Sequence, residues 1–157
     1  MAIHKIDGVD AVDGGSVIRS YPKKFVTLVA SDAINKGDCV QIDTSTTDGI
    51  GLTVEQCDVD DSPRAVGIAM ETVADGEFVK VQVAGYNDIC TAGTNISQFD
   101  LVGSDTGTDG RIQAHGGSAG SAANVTGAVY PFALCITAFT SGNSDGAIMI
   151  FDHGFYG

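Results

Sequence analysis

Pro63-Arg64-Ala65-Val66-Gly67-Ile68-Ala69 recurs in the chain as Pro131-Phe132-Ala133-Leu134-Cys135-Ile136-Thr137. Each run follows a proline with small, aliphatic and β-branched residues, the composition of a buried strand. Ser62-Pro63 can also be read as a helix start, with serine as N-cap and proline in the first turn, because Val66, Ala69, Met70 and Val73 fall on one helical face. The second copy argues against a helix, being rich in aromatic and β-branched residues. Gly67 inside a helix would also cost about 1 kcal/mol relative to alanine. Both runs are therefore expected to be strands.

The echo extends in both directions. Asp75-Gly76 before Phe78-Val79 is matched by Asp145-Gly146 before Ile148-Met149, and Tyr86 by Tyr156. Upstream, Ile34-Asn35-Lys36-Gly37-Asp38-Cys39-Val40 is matched by Ile96-Ser97-Gln98-Phe99-Asp100-Leu101-Val102. Two related strand-turn units, about 33–86 and 95–156, follow from this alignment. A repeat of strands and turns describes a scaffold rather than a catalyst.

Between the echoes the grammar is that of hairpins. Phe25 to Ala30 and Cys39 to Ile42 read as strands separated by the Asn35-Lys36-Gly37-Asp38 turn, and Ile50 to Val54 follows the Asp48-Gly49 turn. Glu77 to Val83 alternates cleanly, placing Val79, Val81 and Val83 on one face and Phe78, Lys80 and Gln82 on the other, as a half-buried antiparallel strand requires. Asp88 to Thr91, Asp100 to Gly103, Arg111 to Ala114 and Gly146 to Phe151 complete the set. The fold class is all-β: a small antiparallel barrel or sandwich forming one domain, residues 25–157, with an extended N-terminal arm, residues 1–24. The Gly/Ser/Ala-rich stretch after His115 reads as a surface loop.

Composition narrows the function. With 21 glycines, no tryptophan and 18% charged residues, the 157-residue chain is neither a helical bundle nor disordered. A formal charge of -12 repels phosphate backbones, so no direct nucleic-acid binding is expected. No apolar run approaches a membrane-spanning length of about 20 residues, and Met1 to Gly8 does not read as a secretory signal. Synthesis in a cytoplasm is expected. Cys39, Cys57, Cys90 and Cys135 lack zinc-site spacing and are expected to be reduced core thiols.

Catalytic and cofactor signatures are weak. His4, His115 and His153 sit in Gly-rich or terminal segments, no Gly-x-Ser-x-Gly elbow occurs, and no phosphate-binding glycine loop stands between a strand and a helix. The chain is expected not to be an enzyme and to carry no cofactor or metal. Asp58-Val59-Asp60-Asp61 and Asp105 to Gly110 offer carboxylates to calcium, but Asp, Gly and Thr are equally the vocabulary of turns, which is the preferred reading. Half of the eight cations, Lys5, Arg19, Lys23 and Lys24, lie in the arm, an asymmetry able to orient a docking surface. Phe155 and Tyr156, near the C-terminus, either meet a partner or pack back on the domain.

Read in order, Lys36-Gly37-Asp38-Cys39-Val40, then Ala65-Val66-Gly67-Ile68-Ala69, then Asp75-Gly76-Glu77-Phe78-Val79-Lys80-Val81, residues 33–86 resemble the small β proteins that decorate tailed-phage heads, also called cement proteins. Residues 95–156 resemble them more loosely, and the arm lies outside the likeness. The resemblance implies a structural virion protein, trimeric, bound to the major capsid protein on the outer surface of a bacteriophage head, where it stabilises junctions between capsid subunits. On that reading Arg19, Tyr21, Lys23, Lys24 and Phe25 are the capsid- or subunit-contacting residues, with Phe155 and Tyr156 as a weaker contact. The alternative is a carbohydrate-binding or adhesive β module of a virion or cell surface, disfavoured by the absence of tryptophan for a sugar platform.

Overall fold

The computed structural model describes residues 22–45, 53–58, 62–105, 107–115 and 131–152, and every structural statement below concerns those residues. They form nine strands and no helix: β1 (Lys24–Ala30), β2 (Cys39–Ile42), β3 (Thr53–Gln56), β4 (Ala65–Ala69), β5 (Phe78–Asn87), β6 (Leu101–Ser104), β7 (Ile112–Ala114), β8 (Ala133–Thr137) and β9 (Ala147–Ile150). Both echoed Pro runs are strands, so the helix reading of Ser62-Pro63 falls. The strand expected at Asp88 to Thr91 does not form. Those residues are irregular and end in a single bridge at Ala92.

The first five strands close into a barrel in the order β1-β3-β2-β4-β5, with β5 returning to β1 over six residue pairs. Closure removes the open edges a sandwich would have had to protect. One expected neighbour pair is absent: β1 and β2 do not form a hairpin. The Gly37 turn (φ 95°) carries the chain over the barrel end, and β1 instead runs parallel to β3, with Val29 opposite Thr53 and Ala30 opposite Val54. Val26, Leu28 and Ala30 of β1 turn inward on Ile34, Val40, Val54, Val79 and Val81, which form one aliphatic core.

The second unit repeats the first nearly bond for bond. Its strands lie in the order β7-β6-β8-β9, matching β3-β2-β4-β5. Ile34 and Val73 exchange backbone hydrogen bonds, as do Ile96 and Phe139. The Asp38 carboxylate accepts the Asn35 N–H and the Asp100 carboxylate the Ser97 N–H. Gly76 N–H donates to Ala30 O and Gly142 N–H to Ala92 O, and both glycines have φ 78°.

These pairings correct the alignment read from sequence. Val40 faces Gly67 and Val102 faces Ala133, so Gly67 corresponds to Ala133 and not to Cys135, two residues further on. The counterpart of Asp75-Gly76 is Ser141-Gly142, not Asp145-Gly146. Asp145 instead accepts the Thr140 N–H at 3.0 Å, a bond that holds its carboxyl below the usual range. Gly146 is small for a packing reason, since a Cβ there would lie 2.5 Å from both the Phe139 ring and Thr137 O.

β5 belongs to both units. Its first half closes the first barrel. Its last residues, Gly85 to Asn87, pair with β9 and take the place of β1 in the second ring, which the parallel Ala92–Ile112 bridge closes. The predicted alternation holds at Phe78 to Val81 and then stops, because Gln82, expected on the open face, is fully buried. Its Nε2 donates to Ala84 O (3.1 Å) and Tyr86 O (2.9 Å), and its Oε1 accepts from Asn87 Nδ2 (3.1 Å). Asn87 Oδ1 in turn accepts the N–H groups of Ile89 and Cys90. This clasp, with Gly85 at φ 92°, bends β5 from one barrel into the next.

Candidate docking surfaces

Of the residues singled out from sequence, Arg19, Tyr21, Phe155 and Tyr156 lie outside the described residues. The other three sit at the start of β1 and meet their own domain. Lys23 lies 5.8 Å from the Tyr86 ring centroid, Lys24 pairs with Asp152, and Phe25 carries the Lys80 ammonium 4.4 Å above its ring. Exposed contacts of this kind contribute under about 1 kcal/mol each. They orient the strand end without burying it.

Large apolar side chains are exposed at Phe25, Phe78, Phe99 and Leu101. They form two surfaces. The first is the outer face of the β1–β5 pair, where Val29 stands opposite Phe78 and Thr27 opposite Lys80, with Phe25 at the end. The second lies on the second ring. Leu101 faces Leu134, Leu134 faces Met149, and Met149 faces Tyr86, so residues directly opposite one another make a single row across β6, β8, β9 and β5. None of the four is buried.

Phe99 ends that row in a costly conformation. Its φ of 71° makes it the one non-glycine residue with positive φ among the described residues, and its side chain is 69% exposed. The corresponding residue of the first unit is Gly37, where a Cβ would meet Ile89 O at 2.5 Å. A bulky residue in the left-handed region costs on the order of 1–2 kcal/mol. Phe99→Gly is therefore expected to raise the urea midpoint, by about 1 kcal/mol in stability; a loss of stability would show that the ring packs within its own chain. The repeat carries the signal, a phenylalanine in a glycine's place, yet charge and motif order single out neither Phe99 nor Phe78 and Leu101.

The four thiols are free and buried, with Cys39 Sγ and Cys57 Sγ 3.3 Å apart. The Cys57 hydrogen bond, then burial, push the Cys39 thiol up. Burial raises Cys90 and pushes Cys135 up to about 11. Thiolate, the reactive form, is thus suppressed at neutral pH at Cys39, Cys90 and Cys135. Native protein at pH 8 is expected to leave all four unlabelled by a disulfide reagent and to release four equivalents on unfolding; fast labelling of the native state would contradict the burial. Among the acidic turns, the Asp105 carboxylate accepts the Gly107 N–H at 2.9 Å, and no group of three or more potential metal ligands gathers among the described residues.

No protein-family model and no curated sequence matches the chain. Among solved structures it is similar to the head fiber gp8.5 N base of bacteriophage phi29, with a TM-score of 0.54 and 15% identity over 83% of this chain and 96% of that one. The likeness covers nearly all of that domain and shows that the two share a fold.

Proposed function

We propose that the protein is a non-enzymatic structural protein of a phage virion that decorates the outer surface of the head and stabilises junctions between major capsid subunits. The observation that carries this reading is the fold shared with a head fiber base over 83% of this chain and 96% of that one. The order of motifs that resembles the decoration proteins supports it independently. The architecture suits such a role, because two fused closed rings give a firm body and apolar surfaces exposed at separate places give it attachment points. Repeated around a symmetric shell, weak contacts add to firm attachment without any one being strong. The lysines near Phe25 would face an acidic partner surface, while the strongly acidic remainder faces solvent.

Co-sedimentation tests it. Purified protein mixed with undecorated heads of the cognate phage is expected to travel with the heads through a gradient at a fixed number of copies per shell. Protein left at the top of the gradient would overturn the proposal.

A further inference from the structure

In the first unit the row Cys39–Ile68–Gln82, in register across β2, β4 and β5, lies outside the core of its own barrel and is nevertheless fully buried. Part of its cover is the chain that follows β5. Beyond the bend at Gly85, Asn87 holds the N–H groups of Ile89 and Cys90, and Ile89 packs against the core that Cys39, Ile68 and Cys90 share. Ile89 O also lies so close to Gly37, two residues before Cys39, that a Cβ there would stand 2.5 Å from it.

The strand registers carry the comparison into the second unit. Cys39 opposite Ile68, and Ile68 opposite Gln82, become Leu101 opposite Leu134, and Leu134 opposite Met149. None of the second three is buried. The chain that follows β9 is short, ending at Gly157, and Tyr156 stands as far beyond Met149 as Ile89 stands beyond Gln82. Asp152 pairs with Lys24, which lies opposite Ala84, so the tail departs beside the joint between the units. We infer that the C-terminal segment 153–157 covers the Leu101–Leu134–Met149 row of its own chain, with Tyr156 in the place of Ile89. The length suffices: five extended residues span about 17 Å, and two steps between neighbouring strands about 10 Å.

The cover changes its chemistry with its row. Gln82 and Asn87, which clasp one another, have Met149 and Gly154 as counterparts, so the second cover is held by an aromatic ring on Leu101, Leu134 and the Met149 thioether. Gly85, whose φ of 92° bends β5, has Asp152 as its counterpart, and Gly154 supplies the freedom to turn two residues later. With Phe99 in the place of Gly37 the tail cannot close against that turn, and the Phe99 ring stays exposed. A cover without the polar clasp is the easier one to lift, so the row remains open to a partner that competes for it. The inference concerns the free chain and does not rest on the head-surface reading.

The test is the rate at which a disulfide reagent labels Leu134→Cys, the four native thiols being buried. In the full chain the rate is expected to be at least tenfold slower than in the same variant ending at Asp152, while Thr27→Cys, on the exposed β1 face, is expected to react equally in both. Equal rates at Leu134→Cys would overturn the inference. So would protection that survives loss of the tail and disappears with residues 1–21, which would assign the cover to the arm, and protection that grows with protein concentration, which would assign it to a second copy. Tyr156→Ser in the full chain, expected to release the protection, replaces the shortened chain if that loses its native near-ultraviolet dichroism.

Discussion

Gly67→Ala is expected to lower stability by about 3 kcal/mol, more than any surface change in this protein, because β4 and β5 meet there backbone to backbone. A Cβ at Gly67 would stand 2.0 Å from Gln82 O and 2.9 Å from its carbonyl carbon, with Val81 Cγ1 at 3.2 Å. No rotamer relieves a clash with main chain, so β4 must move off β5 and open the first barrel, and overpacking of this kind costs on the order of 1–3 kcal/mol or more. For a domain of this size each kcal/mol lowers Tm by about 2–4 °C, so a fall of roughly 6–12 °C is expected by calorimetry. The corresponding change in the second unit, Ala133→Gly, should cost only about 1 kcal/mol, from backbone entropy and a small lost side chain. Equal effects at the two sites would mean that the crossing is not as tight as described.

Gln82→Leu is expected to cost about 3 kcal/mol with almost no change in side-chain volume. The side chain is fully buried, and the substitution withdraws a donor from Ala84 O and Tyr86 O and an acceptor from Asn87 Nδ2. Each buried polar group left without its partner costs about 1–3 kcal/mol. The loss should be local as well as global, because Asn87 positions the Ile89 and Cys90 N–H groups. Hydrogen exchange at residues 85–92 should accelerate well beyond that of the β1–β5 pair, showing the joint between the units opening first. A stabilised Gln82→Leu, or exchange that rises uniformly, would refute the clasp.

How much of this is legible in the sequence differs element by element. β2 is read to the residue, and β4, β8 and β9 to within a few, since their compositions are decided by burial on a pleated surface. The partner of β1 is not, because a turn of the Asn35 to Asp38 type is chemically the same whether it closes a hairpin or carries the chain across a barrel end. Gln82 defeats a clean alternation: only the neighbouring unit makes the outer face of β5 an interior, and polarity alone cannot reveal a satisfied buried amide. The repeat is visible but its alignment slips, by two residues at β8 and by four at the turn that follows, where Asp145-Gly146 imitates a turn while serving as a carboxylate acceptor and a packing notch.

The candidate surfaces are harder to read than the fold. The arm lysines draw attention through charge, yet Lys23 and Lys24 are engaged with Tyr86 and Asp152 of their own chain. Alternation places Phe78 correctly on an open face but gives it no role. Leu101 and Phe99 gain meaning only when the two units are superposed, where a buried Cys39 and a tightly packed Gly37 are replaced by exposed apolar side chains. At both positions a small buried residue of the first unit becomes a large exposed one in the second.

A place on the outside of a phage head is the central claim, and cryo-electron microscopy of undecorated cognate heads with and without the purified protein bears on it most directly. Regular added density on the outer surface at repeated capsid-subunit junctions, fitted by linked two-barrel bodies, is the predicted result. Heads that remain bare at saturating protein would contradict it.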